Sequence, residues 1–307
     1  MNNSSYSSAN SYPVKVLKDI KLVDSIVNEK KVLLRHLQLC PTNRCNLKCE
    51  FCSCDDRNKH LELSYKKIDD ILVSAKLYGC KGITITGGGE PLLHPDIEKI
   101  VDRCKSLDIK VGLVTNGIIL PKIPKNIHWC RVSFDPSRKI PEHFRTVIKE
   151  NPQIDWSFSY VLYQVPWNIE KLVNLGNELE VTHIRVVSDI LNPNVHFMQQ
   201  AKDFLKGIDS RVIYQDRSYP TKGIKKCLIS LLKPIIAADG KIYPCCGIQY
   251  STKNAPLDFH HDMGDNLEEI HTQQKNFNGS LCDVCYYSKY NELLNLLIDK
   301  VEHKEWV

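Results

Sequence analysis

The chain has 307 residues, 42% of them hydrophobic and 25% charged, with a net charge of +5. This is the make-up of an ordinary globular protein of one large or two smaller domains. It excludes a disordered chain, and the lack of any long Lys/Arg block points away from a nucleic-acid binder. The first segment, MNNSSYSSANSYP, has neither a basic start nor an apolar stretch, so it is not a secretory signal and reads as a polar tail. Residues 1–34 are taken as this tail and a lead-in. No run of about eighteen apolar residues occurs, so no membrane span is expected and a cytoplasmic location follows. There clustered thiols stay reduced, and the odd count of 13 cysteines argues for metal rather than a disulfide framework.

From residue 35 to about 190, short β-branched or aromatic runs alternate with amphipathic ones. Strands are expected at 35–40, 82–88, 111–117, 129–135, 156–163 and 183–189. Between the first two, SYKKIDDILVSAKLYG predicts a helix capped by Ser64 and stopped near Gly79. HPDIEKIVDRCKSL then places Ile97, Ile100, Val101 and Cys104 on one face. PEHFRTVIKEN and NIEKLVNLGNELE continue the alternation. Strands alternating with helices imply an α/β fold with a parallel sheet, open or closed into a barrel. In the fifth strand Trp156, Phe158, Tyr160 and Leu162 face one way, a bulky face suited to packing under helices. Ser157, Ser159 and Val161 face the other, suited to a hollow that holds a ligand.

After about 215 the pattern changes. PIIAADGKIYPCC has two β-like arms around Asp239-Gly240, predicting a hairpin whose turn needs φ > 0 at both central positions. DVCYYSKYNELLNLLIDKVEH closes the chain with a helix. Residues 216–307 hold five cysteines and are expected to form a small second module.

The cysteines carry the chemistry. Cys45, Cys49 and Cys52 follow the first strand as CNLKCEFC. A structural zinc site would want four ligands, usually in pairs. Three thiolates alone on a loop suit an iron–sulfur cluster with one iron left for something else. Downstream, Cys227 and Cys245 are followed by Cys282 and Cys285 as CxxC. Four thiolates suit either a fully ligated cluster or zinc. Cys246, next to Cys245, could replace it as ligand or remain a free thiol. Cys40, Cys80, Cys104 and Cys130 fall in or beside strands or on an apolar helix face and read as small buried residues. Cys54 lies close to the three-cysteine loop.

CNLKCEFC, with Phe51 before the third cysteine, resembles the CxxxCxxC motif of the radical SAM superfamily. TITGGGEP, with Thr86, Gly87, Gly88, Gly89, Glu90 and Pro91, resembles the superfamily's GGE-P turn. The resemblance implies a partial (β/α)6 TIM-like barrel over 35–215, with its cofactor at the C-terminal strand ends. Cys45, Cys49 and Cys52 would hold a [4Fe–4S] cluster whose fourth iron is chelated by S-adenosylmethionine (SAM). One electron would then cleave SAM to a 5′-deoxyadenosyl radical that abstracts hydrogen. The glycine turn, Asn116, Ser133 and Arg185 would contact SAM. The C-terminal order of cysteine, hairpin, cysteine and CxxC resembles the Twitch module, the short relative of SPASM. It implies an auxiliary [4Fe–4S] cluster on Cys227, Cys245, Cys282 and Cys285. An oxidative modification of a peptide or a small metabolite such as a sugar or nucleoside would follow, with electrons from a flavodoxin- or ferredoxin-type donor. The short lead-in slightly disfavours a leader-bound peptide. The alternative is a non-enzymatic zinc or iron–sulfur module engaging nucleic acid or a protein partner. That reading would want a basic stripe, which is absent, and paired zinc spacings, which occur only in the tail.

Overall fold

The structure, a computed structural model, describes residues 14–135, 138–164, 169–192, 194–207, 211–216, 221–249 and 261–299. The polar stretch 1–13 lies outside the described residues. The lead-in contains a helix, α1 (Ile20–Glu29), where the sequence reading gave no element. Its Leu22 and Ile26, one helical turn apart, are buried in the common core. Asp19 caps it by accepting from Leu22 N at 3.2 Å.

The six expected strands are β1 (His36–Leu39), β2 (Gly82–Ile85), β3 (Lys110–Thr115), β4 (Trp129–Ser133), β5 (Asp155–Leu162) and β6 (His183–Ser188). They pair in chain order and in parallel. The helices α2 (Tyr65–Leu77), α3 (Ile97–Ser106), α4 (His143–Glu150) and α5 (Ile169–Glu178) alternate with them. Ser64 caps α2 by accepting from Lys67 N, and α3 buries Ile97, Ile100, Val101 and Cys104. A further helix, α6 (Val195–Phe204), leads to a seventh parallel strand, β7 (Val212–Gln215).

The C-terminal part contributes β8 (Lys226–Cys227), α7 (Ile229–Leu232), β9 (Ile235–Ile236), β10 (Ile242–Tyr243), α8 (Cys246–Gln249), α9 (Leu267–Thr272), β11 (Phe277–Asn278) and α10 (Ser288–Ile298). Two expectations about it need correction. Strand β9 pairs in parallel with β1, and β10 pairs antiparallel with β9. The hairpin thus extends the main sheet, whose order is β10-β9-β1-β2-β3-β4-β5-β6-β7. Its turn also differs. Gly240 N donates to Ala237 O, Ala237 N to Lys241 O, and of the turn residues Gly240 takes a positive φ, +83°. This is a three-residue loop ending in a left-handed glycine bulge, so Asp239 does not need φ > 0.

A nine-stranded sheet ending at β7 and β10 is a partial barrel of the TIM-like kind. Its outer face buries Trp156, Phe158, Tyr160 and Leu162 under helices, while Ser157 and Val161 line an interior cavity of about 860 Å³. No helix among the described residues is long and apolar enough to cross a membrane.

Candidate active site

The loop after β1 carries Cys45, Cys49 and Cys52, and all three line the interior cavity at the C-terminal strand ends. Several contacts hold the loop. Leu63 N donates to Pro41 O and Asn43 N to Leu61 O. Arg44 pairs with Glu62 at 2.6 Å. The Phe51 ring packs against Tyr163 at 4.8 Å, joining the loop to the end of β5. Asn116 donates to Asn46 Oδ1 at 2.8 Å and approaches Cys45 Sγ at 3.9 Å. Arg138 Nη2 donates to Cys49 Sγ at 3.2 Å. Burial raises the Cys45 thiol above its ordinary range. Burial also pushes Cys52 up to about 11, against the pull of a backbone hydrogen bond from Cys54. A metal binding here would have to displace the thiol protons.

The GGG turn faces the same cavity. Thr86, Gly87, Gly88 and Gly89 line it, as do Phe51 and Arg185. Its glycines answer first to packing within the protein. Gly89 N donates to Thr42 O at 3.1 Å and Glu90 N to Arg44 O at 2.7 Å. A Cβ on Gly89 would run into the Arg44 backbone, and one on Gly88 into the Asn43 side chain.

Among the described residues the cavity wall does not include Glu90, Asn116 or Ser133. Glu90 is buried behind the turn. It accepts from Asn116 N at 2.7 Å, Thr115 Oγ1 at 2.8 Å and Leu92 N at 3.1 Å. Its carboxylate therefore clamps the β2 turn to the end of β3. Burial raises its pKa, against the pull of these hydrogen bonds. Asn116 stands at the rim, on the cysteine loop. Ser133 ends β4 in register with Ser159, half-buried. Asp135, on the same face, accepts from Tyr163 Oη at 2.7 Å.

The downstream cysteines gather at a second, small cavity lined by Cys227, Cys245, Cys282 and Cys285. The antiparallel pair β8–β11 sets Cys227 opposite Phe277. Gly223 and Gly279 let the two chain segments meet, since a Cβ on either would strike the other segment's backbone. Gly223 N donates to Cys282 O, and Cys285 N to Thr221 O. Asn291 on α10 donates to Cys227 Sγ at 3.5 Å. Cys246 faces away from this group. It lines the large cavity and lies 3.1 Å from Tyr287 Oη, and Tyr287 is on the wall of both cavities. Burial pushes Cys282 up to about 12.

Among the described residues no three His, Cys, Asp or Glu side chains converge as the shell of a single metal ion does. A four-iron cluster takes each thiolate on a different iron and does not ask for that convergence. The soft, all-thiol donor sets fit such a group. Cys40, Cys80, Cys104 and Cys130 are buried in the core, as their settings in the sequence suggest. Cys54 is also buried and lines the large cavity.

Residues 39–133, which include the three cysteines and the glycine turn, match the Radical SAM superfamily. Over that stretch, about a third of its length, the chain is similar to the radical SAM superfamily. A probable GTP 3',8-cyclase of Methanococcus maripaludis (strain C5) is 39% identical over 120 residues, covering 37% of this chain and 40% of that protein. The match thus spans less than half of that curated relative. Among solved structures, Streptococcus suis SuiB bound to S-adenosylmethionine superposes with a TM-score of 0.61 at 17% identity, over 94% of this chain and 80% of SuiB. SuiB bound to its precursor peptide SuiA gives 0.59 at 18% identity, over 94% and 79%. At these identities the likeness is one of fold.

The sequence reading missed Arg138, Tyr163 and Tyr287. None belongs to a motif, and each reaches its site through tertiary packing alone.

Proposed function

We propose that this chain cleaves SAM reductively and uses the resulting radical to begin the oxidation of a substrate held in the barrel. The observation that carries this reading is the cavity that runs from the three-cysteine loop to a wall backed by four more thiols. Cys45, Cys49, Cys52 and the glycine turn line one end. Arg35 N, before β1, donates to Leu232 O at 3.1 Å, which sets Lys233 near the N-terminal end of β1. Lys233, Cys246 and Tyr287 therefore line the far end. Behind Tyr287 lie Cys227, Cys245, Cys282 and Cys285.

In this reading Cys45, Cys49 and Cys52 hold a [4Fe–4S] cluster. When bound, that cluster supplies the electron that cleaves SAM to methionine and a 5′-deoxyadenosyl radical. The chain's own residues do the rest. Phe51, Thr86, the glycines and Arg185 form the wall against which SAM lies. Glu90 and Asn116 fix that wall by holding the turn and the loop. The barrel excludes water from the radical. The four downstream thiols would hold a Twitch-like auxiliary [4Fe–4S] cluster, which would supply an acceptor for the substrate's second electron. A flavodoxin- or ferredoxin-type protein is the proposed donor.

Anaerobic reconstitution should give about eight irons per chain, as two four-iron clusters require. Replacing Cys45, Cys49 and Cys52 together by Ala should remove about half the iron and all 5′-deoxyadenosine formation. A triple variant that still made 5′-deoxyadenosine would overturn the assignment.

A further inference from the structure

We propose that the cavity end remote from the three-cysteine loop is an oxyanion site, built on Arg131 and Lys233, for the phosphoryl or carboxylate group of a small metabolite. The inference rests on the function proposed above and names the class of its substrate.

The charge of the wall is one-sided. Eight Lys or Arg residues line the cavity against four Asp and no Glu. Two of those four are already engaged, Asp19 with Arg35 and Lys81, and Asp55 with Lys59. Arg131, in mid-β4, points into the barrel with its guanidinium 5.5 Å from the Trp129 ring. Lys233 places its ammonium 5.6 Å from the Tyr287 ring. Lys233 makes no ion pair with a carboxylate among the described residues.

The nearby titratable groups register the same field. Burial lowers Lys233, and Arg131 lowers it further, against Cys246 and Cys245. Burial, then Lys233 and Lys15, hold His36 well below its ordinary range. Burial, then Arg131 and Arg185, bring His183 to about 4. Both imidazoles are thus neutral at pH 7. The buried Gln38 Oε1, on the same wall, has no hydrogen-bond partner among the described residues and can meet a ligand donor.

Cations facing a low-dielectric hollow raise the local concentration of anions. A guanidinium fork matches the paired oxygens of phosphate or carboxylate, and the ammonium adds a point charge. The cavity, at about 860 Å³, is within the range of small-molecule sites, and SAM takes its cysteine end. What remains suits a metabolite rather than a long peptide.

The test uses anaerobically reconstituted protein with saturating SAM, titrated calorimetrically with inorganic pyrophosphate and, separately, with succinate. One of the two should bind at one site per chain, and which one does separates a phosphoryl from a carboxylate source. Arg131→Met and Lys233→Met should each weaken that binding roughly 10- to 100-fold. Arg145→Met, which removes a surface pair with Glu178, should leave it unchanged. Melting curves identify folded samples, and either cavity variant suffices if the other does not fold. Binding of neither probe, or equal binding by wild type and a folded cavity variant, overturns the inference. So does a variant that loses iron while keeping its anion affinity, since the cations would then serve the thiolates. SAM cleavage in the same samples keeps the two readings apart. Cleavage without anion binding sinks only the oxyanion site. Anion binding without cleavage sinks the proposed reaction and leaves the site standing.

Discussion

Glu90 holds the glycine turn to the end of β3. Its three acceptor contacts join the glycine turn to Thr115 and Asn116, and Asn116 in turn touches the cysteine loop. Glu90→Gln keeps the shape but sets an amide NH₂ or a lone carbonyl oxygen where two acceptors are required. One buried donor then loses its partner, at about 1–3 kcal/mol. Anaerobic denaturant titration should show that loss, and unchanged stability would refute the clamp. Gly88→Val bears on the same turn. Its side chain would meet Asn43 before any ligand, so the variant should lose SAM affinity together with stability. Full stability with weakened SAM binding would instead show that the glycine answers chiefly to the cofactor.

At the scale of elements, Asp19 ties α1 to the barrel. It caps the helix and pairs with Arg35 at 2.8 Å and Lys81 at 2.9 Å, before β1 and β2 respectively. Burial alone would raise its pKa, but hydrogen bonds from Lys81 and Arg35 outweigh that and hold the carboxyl below its usual range. Asp19→Ala should cost about 1–3 kcal/mol, the sum of a cap and partly exposed ion pairs. Because the folded-state pKa is depressed, this stability is fully present above the ordinary Asp value of 3.8 and is lost as pH falls through the folded value. Denaturation of wild type and variant should therefore converge in acid, and a gap that did not shrink would contradict the pairing. The six barrel strands and five of the helices, the C-terminal one included, were legible because period, caps and breakers are local. Strand β5 even showed which face lines the hollow, Ser157 and Val161 against Trp156 and Phe158. The path of the hairpin was not legible. Ile235 and Ile236 pair with Gln38 and Leu39, about two hundred residues away, and no local pattern names a strand's partner. Helix α1 was missed because its polar neighbours outweighed the Leu22–Ile26 spacing. The cysteines that the sequence divides into two groups line two cavities, and only packing turns Cys245 and Cys246 toward different ones.

For the whole molecule, the two cysteine groups line two cavities that share Tyr287 on their walls, and in the proposed reading the substrate lies between them. In that reading the first group would serve SAM without the second, since a cluster bound by four thiolates has no open iron for SAM. In the proposed reading the second group would hold a cluster whose use is its potential, which ligand type, hydrogen bonds and burial set. Asn291, donating to Cys227 Sγ, is one such hydrogen bond. The Cys282→Ala/Cys285→Ala variant should therefore still form 5′-deoxyadenosine with dithionite, while losing about half its iron and the oxidised product. It should also be less stable, because metal binding contributes folding energy and these residues join β8, β11 and α10. Samples are first matched for fold by circular dichroism, and then iron, zinc and 5′-deoxyadenosine are measured. Zinc at this site in anaerobic protein would rule out electron uptake and leave the four thiols a structural clasp. Loss of SAM cleavage in a folded variant would show that the two ends do not work separately.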